Sequence, residues 1–463
     1  MTKDHPPKSI LSKVPKNISN KQLCLTTFFV LSIFSSYYFY PGVNESAVYK
    51  DDFIYKMVFL FLGQTFQSSA HFLTNLLGFG YEKIHRISID LPEEIYLKFA
   101  NTKEMKLKVN EFEHPKGHFK IIQSLPYELA RNDVEKRPTI FYIHGGGMVG
   151  GSPKMMTLAV SNATRYQVLG ISYRLAPESP FPGPVNDVVE ALRFAFTVDQ
   201  QKFKIGKFAI FGESAGGHLT ISSSFVIDYE EEFGRKPELI LPVVPMTQML
   251  RFDTPSYLAK KNGGFLSKDL MIKFWLSFAG FDSYDLASQE ILGRNFHWSE
   301  NIRSDREFYE RADPEVLGLT KKQTDTTSNY DNQSKYTPLK RNKYSFHNPL
   351  PQNFEHLLRH ELFCPGLADE IFLENFLQNS KNIAILTAEN DVLSNDGKMF
   401  YKRLSETKIG REKIDKKELI FEEFSGAQHI FYMSSKKMNP VLGFDFYDDY
   451  TDRIVGLLSN ALR

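Results

Sequence analysis

Residues 207–217 read KFAIFGESAGG: an apolar run leads directly into the pattern G-x-S-x-G, and residues 219–227 follow with helix-like spacing. In this pattern a strand turns sharply into a helix with Ser214 at the apex. The glycines two residues before and after the serine remove Cβ atoms that would clash in the turn. The hydroxyl is then exposed at a helix N-terminus, where the helix dipole favours a developing anion. The context predicts a nucleophilic serine at position 214.

A run of glycines closes an earlier apolar segment, residues 138–143. Consecutive glycines allow backbone N–H groups to converge on one point without side chains in the way, as an oxyanion hole requires. An ordinary glycine turn explains the run equally well when it is taken alone. Because it lies on a strand that precedes the serine turn, we favour an oxyanion loop formed by His144, Gly145, Gly146 and Gly147.

A nucleophilic serine needs a base, and the base needs an orienting carboxylate. In a strand–turn–helix context of this kind they follow the serine in the order acid, then histidine. Asp391 comes after an apolar run that ends at residue 387, and His429 follows the strand-like residues 418–424. Asp396 is an alternative acid, although its position in the segment SNDG suits the start of a helix better. We therefore predict a triad of Ser214, Asp391 and His429.

The rest of the chain alternates strand-like and helix-like segments, which is typical of an α/β fold with a mostly parallel sheet. Strands are predicted over residues 138–143, 166–173, 207–211, 239–244, 383–387 and 418–424, and helices over 185–196, 219–227 and 448–462.

The amino-acid composition, net charge and cysteine count exclude several classes of function. The 463 residues are 42 % hydrophobic and 24 % charged, which fits a globular chain of one large domain or two smaller ones. A net charge of +1 gives no basic field that would favour nucleic-acid binding. The two cysteines, Cys24 and Cys364, exclude a disulfide framework and a zinc site built from thiolates.

The near-zero charge conceals a split between the N-terminus and the remainder. Residues 1–21 contain five lysines and one aspartate, a net of +4, so residues 22–463 carry a net of −3. An uncharged run, LCLTTFFVLSIFSSYYFY, occupies residues 23–40. As a helix it spans roughly 27 Å, close to the hydrocarbon core of about 30 Å. The split predicts an uncleaved transmembrane signal anchor at residues 22–42 with the lysine tail in the cytosol.

Two further features bear on this topology. If the anchor is the only span, the sequons at Asn162 and Asn332 face the lumen and are candidate glycosylation sites. Residues 57–81 also contain no Asp, Glu, Lys or Arg, but their polar side chains favour an amphipathic helix over a second span. A second span would return the remaining chain to the cytosol.

Five stretches of the chain are informative when taken together: HGGGMVGGS (144–152), YRLAPESPFPGPVND (173–187), GESAGG (212–217), FLSKDLMIKFW (265–275) and ENDVLSNDG (389–397). They resemble the hormone-sensitive-lipase class of α/β hydrolases, and within it the branch of arylacetamide deacetylase and neutral cholesterol ester hydrolase. The resemblance covers roughly residues 100–460. The residue before the serine, Glu213, is usually aspartate in that branch.

The resemblance implies an α/β-hydrolase fold with a helical cap. It implies Ser214 as nucleophile, Asp391 as orienting acid and His429 as base. The backbone N–H groups of Gly146, Gly147 and Ala215 would form the oxyanion hole. The implied reaction is cleavage of a carboxylic ester, with amides left open, and it requires no metal or organic cofactor.

The implied organisation is a cytosolic tail (1–21), the anchor (22–42) and one hydrolase domain (43–463). A cap is expected from residues 52–105 and 250–376, and a polar insertion from 303–347. The branch further implies a single-pass type II protein of the endoplasmic reticulum membrane with its catalytic domain in the lumen. Seven apolar residues, six of them aromatic, are expected either to line an acyl pocket or to belong to the core. They are Phe265, Leu266, Phe274, Trp275, Phe278, Phe372 and Phe376.

A hypothesis from another functional class stays open: the chain is a catalytically inactive receptor or binding module on the same fold. The acyl and alcohol preferences and the oligomeric state are also left open by the sequence.

Overall fold

The computed structural model describes residues 100–131, 136–197, 200–260, 266–295, 297, 300–315, 317–319, 354–429, 435 and 448–463, with 86, 90, 93, 94, 96 and 97. The predicted anchor (22–42), residues 57–81, most of the polar insertion, Asn332 and Phe265 lie outside these residues. In the part of the chain that is described, no helix has the length and apolar character needed to cross a membrane.

One eight-stranded sheet organises the molecule, in the order β1-β2-β4-β3-β5-β6-β7-β8. Strand β2 is antiparallel to both of its neighbours, β1 and β4, and all other pairs are parallel. The strands are β1 (Leu107–Glu113), β2 (Phe119–Pro126), β3 (Arg137–Ile143), β4 (Gln167–Tyr173), β5 (Ile205–Glu213), β6 (Leu239–Val243), β7 (Asn382–Asn390) and β8 (Leu419–Gln428).

Helices flank the sheet on both faces. They are α1 (Tyr127–Arg131), α2 (Lys154–Thr164), α3 (Gly183–Thr197), α4 (Gln200–Phe203), α5 (Ala215–Val226), α6 (Tyr229–Phe233), α7 (Pro255–Ala259), α8 (Lys268–Phe278), α9 (Leu286–Gly293), α10 (Glu300–Ser304), α11 (Arg306–Glu310), α12 (Phe354–Arg359), α13 (Glu370–Gln378), α14 (Ser394–Glu406), α15 (Lys408–Asp415) and α16 (Asp448–Leu462).

The core is split by the sheet because successive strand residues point to opposite faces. Phe141 and Ile143 of β3 pack in one apolar cluster with α3 and α5. Ile140 and Tyr142 of the same strand pack in a second cluster with α2 and α16. Burial on both faces explains why β3 and β5 read as continuous apolar runs in the sequence.

The structure confirms all six predicted strands and the three predicted helices, with bounds shifted by a few residues. Strands β1 and β2 are not among the strands predicted from the sequence. Strand β1 is an edge strand whose residues after Leu107 are exposed or half-buried, so LKVNEFE carries a weak apolar pattern. The helices α7 to α13 lie between β6 and β7 in the chain. The helices α7 to α12 fall within the range expected for the cap, whereas α13 begins in that range and ends beyond it, at Gln378.

Candidate active site

The turn between β5 and α5 places Ser214 at the carboxyl edge of the sheet. Ser214 has φ 56° and ψ −120°, a backbone conformation that L-residues rarely adopt. The turn is tolerated because its glycines leave room: a Cβ on Gly212 would overlap the carbonyl of Gly216, and one on Gly216 would overlap that of Ile143. The serine N–H donates to the Val243 carbonyl at 2.9 Å, which ties the turn to β6.

The structure brings the three predicted triad residues together. Nε2 of His429 lies 2.9 Å from Oγ of Ser214, and Nδ1 of the same ring lies 2.7 Å from Oδ2 of Asp391. A carboxylate only accepts, so Nδ1 carries the proton and Nε2 is left as the acceptor for the serine hydroxyl. All three side chains are buried. The arrangement is that of a nucleophile, a base and an orienting acid.

The alternative acid, Asp396, lies elsewhere. Its Oδ1 accepts from Nε2 of Gln248 at 3.0 Å, and its Oδ2 accepts from the Thr247 N–H at 3.3 Å. It belongs to the first turn of α14, as its sequence context indicated. Asp391 is instead fixed toward the histidine, because its other oxygen, Oδ1, accepts from the Leu393 N–H at 3.0 Å.

The glycine loop follows β3 and approaches the serine turn. Gly146 (φ 108°) and Gly147 (φ 64°) both have left-handed backbone conformations. A Cβ on Gly147 would overlap the ring of Phe274, so α8 packs directly on the loop. Within the described residues, the N–H groups of Gly146, Gly147 and Ala215 meet no hydrogen-bond acceptor. These are the three groups that the family resemblance implies as donors to an oxyanion.

The first two residues of the loop shape it in another way. The Gly145 N–H donates to Oε1 of Glu213 at 2.9 Å, so this residue of the predicted oxyanion loop uses its N–H to join the loop to the serine turn. The ring of His144 stacks on Tyr173, whose hydroxyl donates to the His144 carbonyl at 2.8 Å. Burial lowers the pKa of His144 to about 4, so its ring is neutral near pH 7. His144 and Gly145 therefore hold the loop in place.

Glu213 links the loop to the serine turn, a role that sequence reasoning missed. Its Oε1 also accepts from the Tyr142 hydroxyl at 2.6 Å, and the carboxyl group is buried. Burial raises the pKa of Glu213 to about 8. The only signal in the sequence is the unusual glutamate itself, since its partners are distant along the chain.

Residues from before the sheet also hold the loop. Nε of Arg86 donates to the Val149 carbonyl at 2.7 Å, and its Nη1 and Nη2 pair with the carboxylate of Glu178. Further along, Oε1 of Glu93 accepts from the Ser152 hydroxyl at 2.7 Å. Nothing in the local sequence marks Arg86 or Glu93, because both act through contacts with distant segments.

Of the residues expected to line a pocket or to belong to the core, one borders the site and the others that the structure describes lie in the core. Phe274 touches the glycine loop and so borders the site. Trp275 and Phe278 are buried against Phe363 and His218, which makes them core. Phe372 and Phe376 pack on Phe225, and Leu266 is a buried member of the same core as Phe274.

The comparisons with known proteins agree with this fold. Residues 140–293 match the model of a family described by its alpha/beta hydrolase fold. The chain is 27 % identical to neutral cholesterol ester hydrolase 1 of Mus musculus over 69 % of this chain and 74 % of that one. It is also 27 % identical to arylacetamide deacetylase of Rattus norvegicus over 61 % of this chain and 67 % of that one.

A solved structure supports the fold independently of close sequence similarity. The esterase of Pyrobaculum calidifontis superposes with a TM-score of 0.50 at 18 % identity, over 81 % of this chain and 92 % of that one. The chain thus contains an α/β-hydrolase-fold domain, and neutral cholesterol ester hydrolase and arylacetamide deacetylase are among its relatives.

Proposed function

We propose that this chain is a membrane-anchored serine hydrolase that cleaves carboxylic esters of lipophilic substrates through a covalent acyl-enzyme. The observation that carries the proposal is the continuous hydrogen-bonded row from Ser214 Oγ through His429 to Asp391. The names of the relatives, an ester hydrolase and a deacetylase, support the same reaction class.

In the first half-reaction, Ser214 Oγ attacks the ester carbonyl while Nε2 of His429 accepts the hydroxyl proton. Asp391 stabilises the imidazolium through Nδ1–H and holds the ring in the required orientation. The carbonyl oxygen becomes an anion that accepts from the N–H groups of Gly146, Gly147 and Ala215. The tetrahedral intermediate then collapses, and His429 returns the proton to the departing alcohol.

In the second half-reaction, water replaces the alcohol and His429 is again the base. The tetrahedral intermediate that forms expels Ser214, which recovers its proton as the carboxylic acid leaves. The chain's own side chains and N–H groups supply every proton transfer and every charge contact in this sequence.

A lipophilic substrate class fits the residues beside the nucleophile. Phe274 packs on Gly147 and presents an apolar wall next to the oxyanion loop. The proposed anchor at residues 22–42 would hold the site near a bilayer, where such esters concentrate. We include in the proposal the type II topology that the lysine tail and the uncharged run favour. The endoplasmic reticulum membrane, which the family resemblance implies, is part of the same proposal.

Labelling with a fluorophosphonate probe tests the catalytic part. We expect the folded wild-type protein to label and Ser214→Ala to remain unlabelled. Ser222→Ala is a matched control. Ser222 is a buried serine on α5, the helix that follows Ser214, and its hydroxyl donates to the Leu362 carbonyl. A folded wild-type protein that does not label would contradict the proposal and favour the inactive binding module.

A panel of p-nitrophenyl esters of increasing chain length then measures the acyl preference.

Glycosidase treatment tests the topology. Asn162 is exposed on α2, so a lumenal domain leaves this sequon accessible once folded. A mass shift that disappears on substitution of Asn162 or Asn332 would place the domain in the lumen. Absence of any glycan would support the cytosolic orientation with a second span.

A further inference from the structure

Three metal-ligating side chains meet at the turn between β1 and β2, away from the triad residues. One ring nitrogen each of His114 and His118 and a carboxylate oxygen of Glu190 lie within 4.8 Å of one another. Nδ1 of His118 is 3.0 Å from Oε2 of Glu190. In the described part of the chain, no other three His, Cys, Asp or Glu side chains converge in this way.

The backbone of the turn brings the two histidines together. The His114 N–H donates to the Phe119 carbonyl at 3.0 Å, and the Gly117 N–H donates to the His114 carbonyl at 2.7 Å. Gly117 has a φ of 69°, which glycine adopts without a Cβ penalty. The five-residue segment HPKGH therefore folds back on itself, and its first and last residues share one end of the hairpin.

Aromatic packing fixes His114 against the helix that carries Glu190. The His114 ring stacks on Phe119 with centroids 4.7 Å apart, and its edge meets Phe194 at 6.3 Å. Phe194 is four residues after Glu190 on α3, so both side chains lie on the same helix face. The histidine ring and the carboxylate are thus held on opposing elements that are already packed together.

The cluster contains an unsatisfied nitrogen. Nδ1 of His114 is buried and has no hydrogen-bond partner among the described residues. A buried polar atom without a partner is costly, so such atoms are rare in folded proteins. In a cluster of two imidazoles and one carboxylate, this unsatisfied nitrogen points to a ligand that the chain does not itself provide.

We propose that His114, His118 and Glu190 bind a Zn²⁺ ion, with water in the fourth position. Imidazole nitrogen and carboxylate oxygen are ligands that zinc prefers, and two histidines with one glutamate form an established set of three. The ion bridges the β1–β2 hairpin at the edge of the sheet to α3. It therefore stabilises the folded chain by binding to a site that the unfolded chain lacks.

The required geometry is within reach of small side-chain rotations. Tetrahedral zinc with bonds near 2.1 Å places its ligand atoms about 3.4 Å apart, so a separation of 4.8 Å must close by about 1.4 Å. The His118–Glu190 pair, at 3.0 Å, is already near this spacing. The side chains of His118 and Glu190 are 30 % and 46 % exposed, which leaves both free to turn toward the half-buried His114.

The guanidinium of Arg174 leaves the carboxylate of Glu190 available to bind a metal ion. Arg174 is close enough to Glu190 to be affected by its charge. The guanidinium is nevertheless bound to Asp187, with Nη2 at 2.6 Å from one oxygen and Nε at 2.9 Å from the other. Glu190 can therefore exchange its contact with His118 for a bond to the metal.

Zinc titration of the full chain, stripped of metal with a chelator, tests the proposal. We expect one equivalent of Zn²⁺ to bind and Co²⁺ to give the ligand-field absorption of a tetrahedral site. His114→Phe keeps the aromatic packing and removes the ligand, and Glu190→Gln removes the charge. Both should weaken Zn²⁺ binding at least about tenfold, because each deletes one of three ligands.

His356→Phe is the matched control. His356 is an exposed histidine on α12, outside the cluster, and its substitution should leave the affinity unchanged. Circular dichroism shows whether His114→Phe folds, and His118→Asn supplies an independent ligand deletion if it does not. The proposal is overturned if the wild-type protein binds no zinc, or if it binds zinc no more tightly than the ligand variants do.

Discussion

Oε1 of Glu213 accepts a hydrogen bond from the Gly145 N–H at 2.9 Å, and this contact joins the serine turn to the glycine loop. The same oxygen accepts from the Tyr142 hydroxyl at 2.6 Å. The oxyanion donors, Gly146 and Gly147, follow Gly145 directly in the chain. Their position relative to Ser214 therefore depends on a contact made by the residue next to the nucleophile.

Removal of that contact should lower both activity and stability. Glu213→Ala removes the oxygen that accepts from the Tyr142 hydroxyl and the Gly145 N–H, and a buried donor that loses an acceptor costs about 1–3 kcal/mol. We expect kcat for a p-nitrophenyl ester to fall about 10–100-fold, since each 1.4 kcal/mol lost in the transition state is a factor of about ten. Glu213→Gln keeps an acceptor oxygen and should retain kcat within about fivefold. Equal kcat values for the two variants would show that the contact does not position the loop.

The titration of Glu213 should appear in the pH dependence of stability. Burial raises the pKa of Glu213 from 4.5 in its ordinary state to about 8. Between these values the folded chain holds a proton that the unfolded chain has released, so this group's stabilising contribution is complete below pH 4.5 and is lost as pH rises to about 8. Glu213→Gln has no such proton.

Thermal unfolding at pH 5 and at pH 8 measures the difference. We expect the midpoint temperature of the wild-type protein to fall more between the two pH values than that of Glu213→Gln. Burial also raises the pKa values of Asp396 and Glu93 to about 7, but both groups are present in the two proteins and cancel in the comparison. Identical pH dependence would show that Glu213 titrates like an exposed glutamate.

The two buried aspartates near the site should differ sharply in their effect on catalysis. Asp391→Asn removes the acceptor for Nδ1–H of His429 and favours the wrong tautomer, which should lower kcat/KM roughly 10³–10⁴-fold. Asp396→Asn places an amide NH₂ against a donor from Thr247 or Gln248. It should destabilise the fold by about 1–3 kcal/mol while leaving kcat/KM within about tenfold. The reverse pattern, measured on folded protein, would make Asp396 the triad acid.

The sequence predicted which residues meet at the serine turn better than it predicted which residues hold them in place. The turn at Ser214 is recognisable because its glycines are required locally, and Asp391 and His429 follow from the order of strands and loops. Tyr142 and Glu213 are 71 residues apart, and Arg86 and Val149 are 63 apart. Single residues that meet across such distances leave no periodic or local pattern, so only the folded chain shows them.

The proposed zinc site and strands β1 and β2 could not be predicted from the sequence for the same reason. His114 and His118 lie in a turn between two edge-side strands that the apolar pattern did not reveal, and Glu190 looks like one more polar residue on an amphipathic helix. Only the antiparallel pairing of β1 with β2 and the packing of α3 beside them place these side chains together.

The close approach of α8 to the oxyanion loop should make Gly147 sensitive to substitution. In Gly147→Ala the new methyl group overlaps the Phe274 ring, and a φ of 64° adds about 1 kcal/mol of strain. We expect kcat to fall at least about tenfold as the loop and the ring move apart. Adding Phe274→Ala relieves the overlap and should recover part of the loss. If the double variant is no better than Gly147→Ala, the backbone conformation alone accounts for the defect.

Arg86 should affect turnover although it is remote from the triad in sequence. Its Nε and Nη2 donate to the Val149 and Ala176 carbonyls at 2.7 and 3.0 Å, which holds the segment just after Gly147 from outside. We expect Arg86→Ala to lower kcat about 3–10-fold with little change in KM, because a looser loop weakens contacts made mainly in the transition state.

Arg165→Ala provides the comparison for Arg86. Arg165 likewise pairs with a carboxylate, that of Glu128, and donates to a backbone carbonyl, that of Met105. It ends α2 and does not contact the loop, so its loss removes similar bonds without touching the oxyanion donors. If both variants lower kcat equally, the effect of Arg86 is general destabilisation. If only Arg86→Ala does so, the segment before the sheet positions the oxyanion loop.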